Sequence, residues 1–423
     1  MIHLLRLELI KMKRSRYTYV LLAILLTAVG SYYFYVNQKD MGLDEAQAMI
    51  AESLDSHQQA YEQAMKEIEE VEKREGMVDY VLQNFLEVTK RQFEAHQMMF
   101  EGVTNHDWSL YWQGEIMNTL RMEENKKEEL QTIVKSYRWP TPFTVLSTME
   151  QVRWMEENSI QPVFPTNYAS WHSLYDEEYD SPLIKDLVTD AAEKYSSSGF
   201  FFIYYLFGYG FGLLGLFFVL FLFTDILTKE GFGKNGPIQM LRTQPIRKSM
   251  FWISKWLTVM GGSLLLVFLI TMTGLGLGGF FNRLGDWNYP VLIYGPERTY
   301  TFLTMTEFLF RGLGLFLLIL ALGFSLLFLF SVLTNRAVLA IGLTVAVIIL
   351  GQMLTEQASL LTWSHWLPFH YFEVYPILNG EYAVINENEL FTYRQAMLSL
   401  SICTLIVLVA TFGAVKLRKG VMS

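Results

Sequence analysis

The stretch whose residue types come nearest to known chemistry is Gly231-Phe232-Gly233-Lys234-Asn235-Gly236, glycines around a lysine, as in loops that cradle phosphate. No Ser or Thr follows Lys234 to hold magnesium, and no strand pattern precedes the glycines, so nucleotide binding is not expected there. Ser325 lies within a long apolar run, yet all seven histidines fall outside such runs, which excludes an intramembrane Ser–His pair. No His-Glu-x-x-His sequence occurs, and His365 and His370 without a nearby cysteine are a poor metal signal. The apolar runs also lack the carboxylate and histidine relays of proton-driven carriers. The chain therefore reads as a non-enzyme with no cofactor or metal of its own, dependent on a partner for energy.

Two charged groupings remain. Glu307 and Arg311 are one helical turn apart at the start of an apolar run. They can pair, which lowers the cost of charge near lipid. This is either a purely structural pair or part of a path for a translocated molecule. The other grouping is Thr224–Lys255, where Lys229, Lys234, Arg242, Arg247, Lys248 and Lys255 face only Asp225 and Glu230. Within it Gly231, Gly233 and Gly236 make a pliant start, Pro237 can open a short helix carrying Ile238, Met240 and Leu241, and Pro245 ends it.

The elements that position these residues are set by hydropathy. The chain has 423 residues, 52% hydrophobic and 15% aromatic, which is membrane-protein composition. Uncharged runs at Tyr17–Gln38, Tyr195–Thr224, Trp256–Asn282, Gly312–Asn335, Ala337–Thr355 and Gln395–Val415 each reach the roughly 20 residues needed to cross about 30 Å of hydrocarbon. The expected fold is an all-α integral membrane protein with six spans, at 17–36, 199–224, 256–280, 305–335, 337–355 and 395–415. The first is too long, and lacks the cleavage site, for a removed signal peptide.

Basic residues beside spans stay cytoplasmic. With both termini inside, the inner pieces are a basic interfacial helix at 1–16, a loop at 225–255, Arg336 and a tail at 416–423. These hold 15 of the 33 Lys and Arg and only three acidic residues, Glu8, Asp225 and Glu230. The expected location is the cell membrane, multi-pass.

Outside would lie a domain at 37–198, a loop at 281–304 and a segment at 356–394. The domain carries 31 acidic and 14 basic residues. Ordinary solvation explains that surface, with attraction of a cationic substrate as the sharper reading. Ile50, Leu54, Tyr61, Met65, Ile68 and Val71 recur at three-and-four spacing, so the domain is expected to be helical. Helices continue near 115–135 and 145–157, and alternation is too sparse for a sheet. Segment 356–394, with Trp363, Trp366, Tyr371, Phe372 and Tyr375, suits a re-entrant or interfacial placement. Gly208 with Gly212, and Gly274 with Gly278, are small-xxx-small pairs that let helices approach closely. Cys403, the lone cysteine, reads as a packing residue.

The order Asp225, Glu230, Gly236-Pro237-Ile238, Leu241, Pro245, Arg247 and Lys255 resembles the coupling loop in the membrane subunit of a type-2 ABC exporter. That family more often has Thr or Ser where Pro237 stands. The basic start, the six expected spans, the outer segment before the last span and the ending Lys416-Leu417-Arg418-Lys419 are similar too. A large outer domain after the first span, and the stretch WMEENSIQP at Trp154–Pro162, resemble permeases of Gram-positive bacteria that export antimicrobial peptides or confer immunity to them. The resemblance implies that Glu230, Gly236, Pro237, Ile238, Leu241, Arg242, Pro245 and Arg247 couple to a cytosolic pair of ATPase subunits, which would carry the ATP and Mg. It also implies a second permease subunit, identical or not, and lipid rather than nucleic acid as surroundings. A non-transporting membrane protein, whose outer domain senses a peptide or regulates a cell-wall enzyme, is the alternative.

Overall fold

A computed structural model describes residues 16–75, 79–120, 136–228, 248–334, 336–357, 361 and 363–420. The interfacial helix expected at 1–16 lies outside these but for Arg16, as does most of the 225–255 loop. About 78% of the described residues are helical. Five of the described helices are long and apolar enough to cross a membrane, or six if one bent pair counts as a single span. These are the features of a multi-pass, all-α membrane protein. The chain divides into two compact units, one of Met1–Phe34, Ser198–Leu284 and Thr306–Ser423, the other of Tyr35–Ser197 and Gly285–Met305.

In order, the described helices are α1 (Arg16–Lys39), α2 (Leu43–Glu75), α3 (Tyr80–Asn105), α4 (Trp108–Glu115), α5 (Pro142–Glu157), α6 (Pro182–Ala192), α7 (Gly199–Gly210), α8 (Leu213–Thr228), α9 (Lys248–Phe281), α10 (Met305–Thr334), α11 (Ala337–Gln357), α12 (Val374–Leu378), α13 (Glu381–Ile385) and α14 (Tyr393–Gly420). A two-stranded antiparallel hairpin, β1 (Pro290–Tyr294) and β2 (Tyr300–Thr304), precedes α10.

In the first unit α10 is central: 72% of its most apolar window is buried, against 17–28% for α1, α9, α11 and α14. The uncharged run at 199–224 is not one straight span. It is α7 and α8, bent by 78° at Phe211–Gly212. The physical reason lies in its glycines. A Cβ at Gly215 would sit 1.8 Å from the Gly210 carbonyl oxygen, so only glycine lets the chain fold back here. Gly208 and Gly212 thus flank the bend rather than forming one helix stripe, and they face Tyr375 and the Phe372 carbonyl. Phe211 at the bend is stacked between Phe207 and Phe316, at 4.2 and 4.9 Å.

The second glycine pair does act as a helix contact. A Cβ on Gly278 would come 2.3 Å from the Gly199 nitrogen, and Gly274 meets Phe202 and Ile203, so α7 lies directly on α9. Segment 356–394 is built of 3-10 turns at Ser364–Trp366 and Pro368–Phe372 and the short helices α12 and α13, none long enough to span. Tyr375 donates to the Tyr204 carbonyl and Ser399 to that of Trp366, which ties the segment to α7 and α14.

The second unit is a helical domain with its own core. Its apolar positions gather Ile50, Met99, Val103, Tyr111, Trp112, Val145, Met149, Phe164 and Trp171. Helix α5 starts at Pro142, earlier than its apolar spacing indicates, because Thr141 caps it by accepting from the Thr144 amide. Asp107 caps α4 through the Leu110 amide. Helix α4 leads into a π-helical turn at Ile116–Leu120, which covers only the start of the helix expected near 115–135. Residues 121–135 are outside the described set. Asp40 accepts from the amide and hydroxyl of Ser197, at 2.6 and 2.7 Å, closing the start of the unit onto the end of its long segment.

The 281–304 stretch is more than a loop. Its hairpin completes this unit's core. Tyr300 donates to the Leu146 carbonyl, the Tyr294 hydroxyl accepts from the Leu174 amide, and Trp154 donates to the Asn288 carbonyl. Phe143 stacks on Tyr294 at 5.3 Å. Arg298 at the turn lies over Tyr137 and Tyr175, 4.5 and 4.6 Å from the ring centres, and donates to the Ser136 carbonyl.

Candidate functional site

The residues expected to couple to an ATPase, Glu230, Gly236, Pro237, Ile238, Leu241, Arg242, Pro245 and Arg247, lie outside the described residues. The far end of that pattern is visible. Lys255, on α9, is 1% exposed beside fully buried Ser254. A lysine so placed needs polar compensation for its buried charge.

Glu307 and Arg311 do pair on α10: Arg311 Nη2 donates to Glu307 Oε1 at 2.5 Å. The side chains stay 48% and 40% exposed, and Arg311 stands 5.8 Å from the Tyr393 ring centre on α14. His370 is buried, its Nδ1 2.6 Å from the Tyr382 hydroxyl, and burial lowers its pKa to about 4, so it is neutral at pH 7. Among the described residues no three metal-ligating side chains converge.

A site that sequence reasoning did not single out lies inside the second unit. A cavity of about 450 Å³ opens between α2, α3, α4 and the loop at Thr166–Tyr168. Close helix contact creates it. A Cβ on Gly102 would lie 2.6 Å from the Tyr111 nitrogen, and one on Gly114 2.6 Å from the Ala95 carbonyl oxygen. These two glycines let α4 lie flat on α3 and carry Tyr111 and Glu115 inward, one turn apart. Met49, Ile50 and Met99 supply the apolar wall, and Ser53, Asn118, Thr119 and Thr166 the polar one.

Glu115 is 3% exposed. Among the described residues its one hydrogen bond is from the Thr119 hydroxyl, at 3.3 Å. Burial raises its pKa to about 7, while the Thr119 bond and the charge of Lys194 act the other way. The Lys194 residue is partly exposed, but its ammonium end is desolvated, which lowers its pKa to about 8. Tyr111, paired with Thr166 at 2.5 Å, is pushed well above the ordinary tyrosine range by burial and then by Glu115.

His96 also lines the cavity. Its Nδ1 is 2.8 Å from the Gln92 carbonyl, a contact that requires a proton on Nδ1 and leaves Nε2 as the acceptor of the neutral ring. Its face packs on His57, with ring centres 4.2 Å apart, and burial lowers the pKa of both. The available signal was weak. Gly102 and Gly114 interrupt good helix sequence, but nothing local marks Glu115 as buried among the 31 acidic residues of 37–198.

No known protein family matches this chain, and neither the curated proteins nor the solved structures contain a match.

Proposed function

We infer that this chain is the membrane-spanning permease subunit of an ATP-driven ABC exporter, moving an amphipathic molecule outward across the cell membrane. The observation that carries the reading is the Thr224–Lys255 stretch: six basic and two acidic residues, with the sequence Gly-Pro-Ile and an apolar pair, set between long apolar segments. In this proposal Ile238 and Leu241 fill a groove on a cytosolic ATPase, with Glu230 and Arg242 making polar contacts around them. In this proposal such a push acts on the bend between α7 and α8 and on the tight α7–α9 contact. Purification from native membranes in mild detergent tests it. An ATP-hydrolysing cytosolic protein should co-purify in stoichiometric amount, and recovery of the permease alone would oppose the reading.

A second reading is favoured by the separate core and cavity of the outer unit. Here the domain senses a ligand and the membrane helices transmit that event without transport. Flux through reconstituted vesicles separates the two.

A further inference from the structure

We propose that the cavity in the second unit binds a primary ammonium group carried on a short apolar chain, with Glu115 as its counter-charge. Three features of the lining select that chemistry. Among the described residues no lysine or arginine lines the cavity, and Glu115 is the only lining carboxylate. A carboxylate offers about four lone-pair sites, and among the described residues only Thr119 donates to this one. Met49 and Met99, also in the lining, give an apolar surface of flexible thioethers that adapts to an alkyl chain. The volume of about 450 Å³ admits an alkylamine or one lysine side chain with room to spare, and is too small for a folded peptide.

The other titratable groups are consistent with a cationic guest. His57 and His96 are held neutral by burial, so neither repels an ammonium ion at pH 7. Lys194 acts on Glu115 through space and is not among the lining side chains. Beyond the cavity, the strong acidic excess of 37–198 raises the local concentration of cations. The proposal stands apart from the permease reading, because it concerns a site internal to one unit.

The test uses the full-length protein in lipid nanodiscs and titration calorimetry at pH 7.5, with butylamine, butanol and butyrate as probes of equal chain length. Butylamine should bind at least tenfold more tightly than butanol, and butyrate should not bind. Glu115→Gln, which keeps the shape, should weaken butylamine at least tenfold and erase its advantage over butanol. N-acetyl-lysine methylamide distinguishes the source of the ammonium. Binding comparable to butylamine assigns the site to lysine side chains of peptides; binding of butylamine alone assigns it to free amines. Should Glu115→Gln fail to fold, Met99→Trp, which fills the cavity and leaves the carboxylate, should abolish butylamine binding. Equal binding of the three probes, no amine binding to folded protein, or unchanged amine affinity in a folded variant would overturn the proposal.

Discussion

The two units of this molecule solve the burial problem differently. The unit of Tyr35–Ser197 and Gly285–Met305 closes a core within its own chain, and buried polar groups there find partners: Asp176 accepts from the Thr141 and Ser173 amides and the Thr144 hydroxyl, all at 2.7–2.8 Å. The unit of membrane-type helices leaves apolar side chains bare. Leu405, Ile406 and Val409 on α14 are 61–64% exposed, and many apolar side chains on α9 and α11 are exposed too. The lesson is that one unit buries its apolar side chains against itself, while the other leaves an apolar surface suited to lipid.

The most disruptive test removes the hairpin from the self-contained unit. Replacing 290–304 with a Gly-Ser linker deletes Tyr294, Tyr300 and Phe302, half-buried aromatics that each contribute less than the roughly 1.5–3 kcal/mol of a fully buried side chain but act together. Limited proteolysis should then degrade 37–198 while α9 and α10 stay protected. An unchanged digestion pattern would mean the domain does not need the hairpin.

Next in size is the buried carboxylate. Because Glu115 has a folded pKa of about 7, above its ordinary value of 4.5, the folded state holds its proton more tightly than the unfolded chain. Stability contributed by the protonated form is complete below pH 4.5 and is lost as pH rises toward 7. Glu115→Gln should therefore raise the melting temperature of the second unit at pH 8, by up to about 3 kcal/mol in stability, and do little at pH 5. A gain equal at both values would show that the carboxylate is not buried as described.

The membrane helices offer a smaller, paired test. Gly278→Val forces α7 off α9 and should cost about 1–3 kcal/mol. Gly276→Val, two residues away with open space around it, should cost far less. Thermal unfolding in detergent, followed by tryptophan fluorescence, measures both. The smallest effect belongs to Glu307→Gln. Its exposed pair with Arg311 is worth at most about 1 kcal/mol, so stability should barely move. A transport defect without a stability defect would place the pair on the substrate path.

Much of this architecture is legible in the residues. Uncharged runs locate α1, α9, α10, α11 and α14, because bilayer thickness dictates their length. The spacing of Ile50 through Val71 marks α2 as an amphipathic helix. The hairpin is harder to see, since each strand is only five residues long. Its signals were the Gly295-Pro296 turn and the alternation of Tyr300 and Phe302 with threonine and leucine. The bend at Phe211–Gly212 hides behind uniform apolarity. The glycine cluster at 208–215 marks it, but glycines serve kinks and close contacts alike. The cavity depends on contacts between residues 49, 99, 115 and 166, which no local pattern records.

The central claim, that the Thr224–Lys255 loop docks an ATPase, is tested most directly by the double variant Ile238→Asp, Leu241→Asp. Each apolar anchor buried in a groove is worth roughly 1.5–3 kcal/mol, and an unpaired carboxylate cannot take its place. The measurement is pull-down of the co-purifying ATPase by wild type and variant at equal membrane abundance. The account predicts at least a tenfold loss of ATPase recovery, with the variant still inserted and folded. Equal recovery from both proteins would contradict it.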